Sequence, residues 1–224
     1  MKENNIVLDN VKLLKSNLYI YQKEIKSLEV LNDAQVNICS SPLNNLKITV
    51  KKNAHLEINY FNIIEKSETN INIELEENSK LTLNHSFITK DEYKLNIISN
   101  FLNENSKLTI NLFGINKENT VINIDGYINK DKVNNELLEN ARIINIGKGK
   151  TVVIPNMLIQ TGKVIANHNV TISSVPSREL KYLMSKGIDN EGAKELILTG
   201  HLIKTISDLK LQTKIKELIK MEVI

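Results

Sequence analysis

The chain has 224 residues, of which 41% are hydrophobic and 25% are charged, and its formal net charge is +3. This composition predicts a folded domain with a buried core rather than a disordered chain. The small net charge argues against a dedicated nucleic-acid-binding protein, which usually carries a larger basic excess. The single cysteine, Cys39, excludes a disulfide within the chain and a four-cysteine metal site. Because aromatic residues make up only 4% and Trp is absent, the core must be built from Ile, Leu and Val.

The beginning of the sequence shows no targeting signal. Met1–Asn10 contains charged residues and no long apolar run, which argues against a secretory signal. No window approaches the ~18 consecutive apolar residues of a transmembrane helix, so we expect a cytoplasmic protein that does not enter a membrane. Residues 1–40 have no pattern that identifies their structure, and we assign them as an N-terminal extension. Residues 41–175 are predicted to form the main domain, and residues 176–224 a C-terminal segment.

A short motif repeats along the middle of the chain. The sequence ENSKLT at Glu77–Thr82 recurs letter for letter at Glu104–Thr109. Looser copies, with Asn, a small residue and a basic residue before an apolar one, occur at Asn53–Ile58 and Asn140–Ile143. Asn tolerates the left-handed backbone conformation and its side chain caps turns. Each copy therefore predicts a turn followed by a strand.

Apolar and polar residues alternate with period two after these turns, which predicts β-strands. Strand-like segments recur about every 10–14 residues, and no convincing amphipathic helix interrupts them between about residues 40 and 175. This pattern suits an all-β sandwich, a barrel or a solenoid. The clearest alternating segments are Ile71–Leu75, Leu81–Phe87, Leu108–Leu112 and Val164–Ile172.

The spacing of the motif favours the solenoid. Copies about 25 to 27 residues apart correspond to one coil of a β-helix with two or three strands. Stacked coils at the ~4.8 Å strand spacing align like residues in ladders, which suits the aliphatic core candidates and the recurring Asn. A sandwich would more often show Asn-Gly hairpin dipeptides, and none occurs. We therefore predict an all-β fold, a parallel β-helix followed by a small C-terminal helical segment.

The sequence becomes helical in character after residue 175. Pro176-Ser177 indicates a helix start with Ser177 as the cap, and Gly187 indicates its end. A second helix is predicted from about Asn190 to Gly200, and a third from about Leu209 to Lys220. These helices are expected either to cap the open end of the β-helix, which is an exposed sheet edge, or to offer a surface to a partner.

The sequence suggests no catalytic constellation, and we predict that the chain is not an enzyme. Gly147–Thr151 resembles the end of a phosphate-binding loop, but it lacks the earlier glycine and the following helix, so a turn between two strands is the simpler interpretation. Cys39 lies far from every histidine in sequence and is expected to be a small buried residue. Paired carboxylates of a polysaccharide-cleaving β-helix enzyme cannot be singled out, and the scarcity of aromatic residues counts against that class.

His168 is the histidine for which two interpretations stay open. It is in phase with Val164, so it should point to the apolar side of its strand, where it would be a neutral, hydrogen-bonded core residue. The alternative is a neutral imidazole offered to a metal or cluster. His85 has the same phase and is expected to be a core residue. His55 faces the polar side, and His201, between predicted helices, carries no signal.

The last third of the chain resembles the SufB/SufD family, the β-helical scaffold components of the SUF iron–sulfur cluster assembly machinery. Order and spacing of the matching blocks both hold over about residues 135–205, whereas upstream only the general solenoid pattern is shared. The resemblance implies a sequence of about half the usual length, in which we expect no counterpart of the family's helical N-terminal domain. The blocks are Asn135–Arg142, Pro155–Ile159, Val164–Thr171 and Tyr182–Ile188, followed by Ala193 and Gly200.

The resemblance implies a right-handed parallel β-helix that pairs with a second SufB/SufD-type chain or with itself. It also implies C-terminal helices that dock a SufC-like ABC-type ATPase. His168 matches the histidine of SufD-type chains that is implicated in cluster assembly, and is the candidate metal residue. An iron–sulfur cluster would be held transiently at a shared interface, and none would be bound stably by this chain alone. The expected partner-binding residues are Tyr182, Leu183, Gly187 and Ile188.

Two departures from SufB-type chains define the predicted role. No cysteine is present near Gly149, where SufB-type chains carry one, and Asn169 stands where they have a glutamate after the motif histidine. Protein-bound clusters generally need several ligands, mostly thiolates, which one cysteine per chain cannot supply. We therefore expect a SufD-like, non-catalytic component of an assembly complex. The alternatives are a β-solenoid with a binding or structural role and no metal chemistry, and a polysaccharide-active β-helix enzyme.

Overall fold

The computed structural model describes residues 5–41 and 43–222, with side chains through residue 220. The first four residues of the segment considered above for a targeting signal lie outside these ranges. The described part forms fifteen strands and three helices. The strands are β1 (Ile6–Leu8), β2 (Val11–Leu13), β3 (Asn17–Tyr21), β4 (Ser27–Val30), β5 (Ala34–Cys39), β6 (Asn45–Val50), β7 (His55–Ile64), β8 (Ser67–Leu75), β9 (Lys80–Thr89), β10 (Glu92–Phe101), β11 (Lys107–Asn116), β12 (Asn119–Ile128), β13 (Glu136–Asn145), β14 (Lys150–Ile159) and β15 (Ile165–Ser173). The helices are α1 (Ser177–Ser185), α2 (Asn190–Ile203) and α3 (Leu209–Glu222).

The strands alternate between two sheets that face each other across an apolar interior. Sheet A has the order β14-β12-β10-β8-β6-β4-β1-β2, and sheet B has the order β15-β13-β11-β9-β7-β5-β3. Each coil contributes one strand to each sheet, and neighbouring strands pair in parallel from β3 onward. The result is a parallel β-solenoid of about five turns, which confirms the predicted fold class.

One corner of each coil is made by the repeated Asn. Asn53, Asn78, Asn105 and Asn134 all have left-handed backbones, with φ between 56° and 62°. Their backbone N–H groups bond to the next coil; that of Asn78, for example, donates to the Glu104 carbonyl at 3.2 Å. The turn-then-strand prediction is therefore confirmed, with one correction. The last copy is at Asn134, whereas Asn140 lies inside β13, because the outer face of this strand also carries an Asn.

Residues 5–40, whose structure the sequence left open, begin both sheets. The β1–β2 hairpin is antiparallel, and β1 also pairs antiparallel with β4, which closes the N-terminal end of sheet A. Ile6 and Val36 are fully buried in the same core that continues along the solenoid. The β-helix thus starts well before residue 41.

An unbroken ladder of side-chain amides runs along the outer face of sheet B. Each Asn donates from Nδ2 to the Oδ1 of the Asn one coil earlier, at 2.9 to 3.2 Å. Because every coil repeats the same spacing of strands, the amides stack in register and satisfy one another. The rungs are Asn17, Asn37, Asn59, Asn84, Asn111, Asn140 and Asn169.

The C-terminal helices lie along the flank of sheet B rather than over the end of the solenoid. Leu198 and Leu202 of α2 and Ile215 of α3 pack with outward-facing residues of successive coils, including Phe61 and Ile88. Polar contacts follow the same path back along the axis. They are His201 Nε2 to the Arg142 carbonyl, Ser86 Oγ to the Leu202 carbonyl, Ser207 Oγ to Glu57, and the Tyr19 hydroxyl to Asp208. The expectation that the helices cap the open end is therefore wrong, because sheet B carries an apolar outer stripe that they cover.

The helix boundaries agree with the predicted ones, with two differences of detail. Pro176 occupies the N-cap position of α1, and the Ser177 side chain makes no capping bond, so the expected cap is wrong. The second helix extends to Ile203 and includes His201, which the sequence had placed between helices. Its cap is Asp189, which accepts from the Gly192 N–H at 2.8 Å. Among the described residues, no helix combines the length and apolar character needed to cross a membrane.

Candidate functional site

The final coil of the β-helix is uncovered. Strands β14 and β15 are the terminal strands of sheets A and B, so each leaves one backbone edge without a neighbouring strand in the described part of the chain. Val170 and Ile172 share the phase of the buried core residues and are nevertheless 39% and 42% exposed. On the outer side of β14, Ile154 replaces the polar rung that Asn123 occupies on the preceding strand. The open end therefore presents apolar side chains beside unpaired backbone groups, the features of a pairing surface.

His168 lies on this open end. It pairs in register with Glu139 of β13, and Glu139 pairs with Ile110 of β11. Both Glu139 and Ile110 are buried in the core. The prediction that His168 has the inward phase of its strand is confirmed, but the interpretation as a buried, hydrogen-bonded core residue is wrong. His168 is exposed because no further coil covers it. Its imidazole is thus aligned with the core yet accessible from outside.

Glu139, directly beneath His168, is the unexpected member of the site. It is only 1% exposed, and neither carboxylate oxygen has a hydrogen-bond partner among the described residues. Burial, with a smaller repulsion from Asp125, raises its pKa to about 7. Sequence reasoning missed this residue. The available signal was an acidic side chain in the inward phase of β13, between Leu137 and Ala141.

A glycine on the facing strand leaves the space that the carboxylate occupies. A Cβ atom at Gly126 would lie 3.4 Å from Glu139 Oε1 and 3.6 Å from Ser99 Oγ. It would also lie 2.3 Å from a methyl of Leu137, closer than packed side chains approach. Gly126 therefore permits the close packing of Leu137, and the Glu139 carboxylate lies beside this contact, one coil below the open end.

Cys39 is remote from this end. It lies at the end of β5 and packs beneath the C-terminal helices, as the predicted small buried residue. Burial raises the pKa of its thiol, which disfavours the reactive thiolate. Five strand steps in sheet B separate β5 from β15, about 24 Å at the usual ~4.8 Å spacing. Cys39 and His168 of one chain therefore cannot share a metal site.

His85 belongs to a closed polar and aromatic cluster inside the solenoid. Its ring stacks on Tyr60 with centroids 4.3 Å apart, and its Nε2 lies 3.1 Å from the Tyr93 hydroxyl. Complete burial lowers its pKa to about 3. The predicted core role of His85 is confirmed, since the ring is neutral and enclosed.

The predicted partner-binding residues differ in what they offer. Tyr182 is 61% exposed, whereas Leu183 and Ile188 are half-buried. Gly187 has φ +88° and closes α1, with its N–H bonded to the Met184 carbonyl at 3.0 Å. This glycine is thus required by the backbone turn. Every residue of α1 is at least partly exposed, and Met184 beside Tyr182 adds a second free apolar side chain.

The remaining motifs hold no further site. Gly147 has φ +64° in the turn between β13 and β14, and a strand follows it, so the expected glycine-bearing turn is confirmed. No cluster of three or more His, Cys, Asp or Glu side chains in the described part of the chain is arranged to hold a metal ion. The open end can therefore supply two such groups from one chain, Glu139 and His168.

Comparison with known proteins finds similarity in the region that contains the open end. Residues 139–201 match the family described as "SUF system FeS cluster assembly, SufBD core domain". The chain is also similar to the iron–sulfur cluster assembly protein SufD of Bacillus subtilis (strain 168), with 30% identity over 91 residues. That alignment covers 40% of this chain and 20% of SufD, so the chain spans about a fifth of the length of that relative.

The matched residues include the whole open end described above. They begin at Glu139, run through β14 and His168 on β15, and end at His201 in α2. The fold, a parallel β-solenoid followed by helices, and the family match agree in this region. Over this region, the chain is similar to the core domain of the SufB/SufD family of SUF iron–sulfur cluster assembly proteins.

Proposed function

We propose that this chain is a SufD-like, non-catalytic component of a SUF-type iron–sulfur assembly complex in the cytoplasm. In this role it pairs through its β-helix with a second SufB/SufD-type chain or with itself, and it docks a SufC-like ABC-type ATPase through its C-terminal helices. The observation that carries the proposal is the uncovered final coil, which lies inside the family match and displays His168.

The pairing half of the proposal is supported by the chemistry of the open end. Two edge strands there have free backbone groups, and an edge of this kind pairs readily with another strand. Ile154 is 43% and Leu158 57% exposed on β14, and Ile165 is 57% exposed at the start of β15. A second chain placed against this end continues both sheets and removes these apolar side chains from water.

The cluster is the cargo of the complex and not a resident group of this chain. Iron–sulfur clusters are held mostly by several thiolates, and the only thiol here is buried at the far end of sheet B. His168 supplies one imidazole at the pairing surface. A cluster formed there takes its remaining ligands from the second chain and is held transiently.

The ATPase half of the proposal is supported by the exposed apolar side chains of the first two helices. Tyr182, Met184 and Leu196 are 61%, 45% and 53% exposed, while the opposite side of α2 is anchored on sheet B. Exposed apolar side chains on helices that are anchored to the rest of the fold are suited to a protein partner.

Affinity purification from the native cell extract under anaerobic conditions tests the proposal. We expect an ABC-type ATPase in stoichiometric amount, together with a SufB-type chain or a second copy of this chain. A homodimer without ATPase would refute the docking half, and a monomer with ATPase would refute the pairing half.

A double variant locates the ATPase contact. Tyr182→Ala with Met184→Ala should lose the ATPase and keep the pairing, because both side chains lie on α1 and not on the strands of the open end. The matched control is Tyr21→Ala at the opposite end of the solenoid. Tyr21 is 52% exposed, an exposure similar to that of Tyr182. Retention of ATPase by the double variant would place the contact elsewhere.

A further inference from the structure

We propose that Glu139 and His168 together form a two-donor binding site for a divalent transition metal at the open end of the β-helix. The identity of the physiological ion as iron(II) rests on the proposed function. Metal binding itself rests on the placement of these two side chains.

The first argument is register. Glu139 and His168 are direct partners on neighbouring parallel strands, and both have the inward phase. Side chains at such positions project from the sheet side by side, one strand spacing of about 4.8 Å apart. A metal ion bridging the two groups needs no change in the strands.

The second argument is the state of the carboxylate. An ionisable group buried without a partner is costly to the fold and calls for an explanation. Neither carboxylate oxygen of Glu139 has a hydrogen-bond partner among the described residues. Its side chain can therefore turn toward His168 without breaking an interaction, and a bound cation supplies the partner that the fold omits.

The third argument is the space around the carboxylate. Gly126 faces Glu139 from sheet A, and a side chain at that position would meet Glu139 and Leu137. Beyond it, Ser99 Oγ makes only a long 3.4 Å contact, to the Asp125 carbonyl. Glu139 and Ser99 thus form a buried polar group beside Gly126, below the open end, where other coils carry apolar side chains.

The donor set indicates the class of metal. One carboxylate oxygen and one imidazole nitrogen suit iron(II), manganese(II), cobalt(II) or zinc(II), rather than a soft monovalent ion. Two donors leave coordination positions open. Water or a group of the paired chain fills these positions, because the site lies at the proposed pairing surface.

Cobalt(II) is the probe for the test, since its visible absorption reports nitrogen and oxygen ligation. Titration of the purified full chain under anaerobic conditions should show a saturable cobalt spectrum that iron(II) displaces. Glu139→Gln and His168→Ala should each weaken cobalt binding at least tenfold. The Gln variant keeps the volume of Glu139 and removes only the unpaired charge, and His168 is exposed, so both variants are expected to fold.

Two matched controls separate the site from general effects. Glu136→Gln removes a carboxylate on the same strand as Glu139, one that forms an ion pair with Lys107 at 2.9 Å. His55→Ala removes an exposed histidine far from the open end. Both should bind cobalt as the wild type does. Thermal unfolding and circular dichroism of each variant verify the fold.

Each unfavourable outcome refutes the two-donor site. Absence of a saturable spectrum in the wild type, or unchanged binding in either folded variant, overturns it. Copurification of the ATPase tests the proposed function separately from the metal site. Glu139→Gln should still recover the ATPase, whereas loss of the ATPase in the wild type with retained cobalt binding would refute the proposed function alone.

Discussion

Asn169 donates its side-chain amide to Asn140 Oδ1 at 3.1 Å, as the last rung of the amide ladder on sheet B. This contact accounts for one of the departures from SufB-type chains, which carry a glutamate at this position. A glutamate has no N–H group to donate and would place a negative charge beside the Asn140 oxygen. In this chain the residue after the motif histidine therefore continues the ladder, while His168 faces the other side of the sheet.

Breaking the ladder in its middle should destabilise the solenoid more than breaking it at its end. Asn84 donates to Asn59 at 3.0 Å, accepts from Asn111 at 2.9 Å, and is only 3% exposed. Asn84→Ala removes the donor to Asn59 Oδ1 and the acceptor for Asn111 Nδ2, and we expect a loss of about 2–3 kcal/mol in the free energy of unfolding. Asn169→Ala removes one exposed bond and should cost about 0.5–1 kcal/mol. Denaturant unfolding measures both, and equal losses would contradict a cooperative ladder.

Acid should unfold the protein through His85. Burial lowers its pKa from 6.5 to about 3, so the unfolded chain binds a proton that the folded chain refuses. The neutral His85 ring contributes fully to the free energy of unfolding above pH 6.5. This contribution is lost as the pH falls toward 3. At 1.36 kcal/mol for each unit of pKa shift, the loss reaches about 3 kcal/mol by pH 4. His201, with a pKa lowered to about 4, acts in the same direction.

Thermal unfolding between pH 7.5 and pH 4 measures this effect. His85→Gln should flatten the pH profile, because the Gln side chain does not titrate. The remaining slope combines His201 with Glu139, whose raised pKa of about 7 makes it act in the opposite direction. His55→Gln is the matched control, since it makes the same replacement at an exposed histidine outside the core. An unchanged slope in His85→Gln would show that another group causes the acid sensitivity.

Gly126 should not tolerate a side chain. Its Cβ would lie 2.3 Å from a Leu137 methyl inside the core, and Leu137 is fully buried. We expect Gly126→Ala to lower the free energy of unfolding by about 1–3 kcal/mol, since an extra methyl in a packed core forces its neighbours to shift. At Gly162, nothing lies within 4 Å of an added Cβ, so Gly162→Ala should be nearly neutral. Similar stability of the two variants, measured by denaturant unfolding, would contradict the packing described here.

A charge on the open end should abolish pairing without unfolding the chain. Val170 has the inward phase on β15 but is 39% exposed, so Val170→Lys places an ammonium group at the proposed pairing surface. We expect a monomer by size-exclusion chromatography with light scattering, and a melting temperature close to that of the wild-type monomer. Val11→Lys at the opposite end is the control and should remain paired. A persistent complex in Val170→Lys would move the interface away from the open end.

The periodicity of the sequence was sufficient to predict the fold. Inward residues such as Ile73, Leu83 and Ile110 are buried as the period-two alternation predicts, because the two faces of a strand differ in exposure. The Asn corners were also predictable, since few residue types adopt the left-handed conformation. The helices were located to within a few residues by their apolar spacing and by Gly187.

What the sequence alone determined about this protein is local: which residues form strands, where the coils turn, and which residues resemble the family blocks. The tertiary structure decided what depends on the register between coils. Because the corners differ in length, only the stacked strands show that Asn140 is a ladder rung, that the helices lie along sheet B, and that a buried, unpaired Glu139 lies beneath His168. The ladder rungs and the Glu139–His168 pair join residues about 20 to 30 positions apart in the chain, and hydrogen bonding between strands brings them within one strand spacing. The helix contacts on sheet B join residues from 59 to 189 positions apart, and apolar packing holds them together.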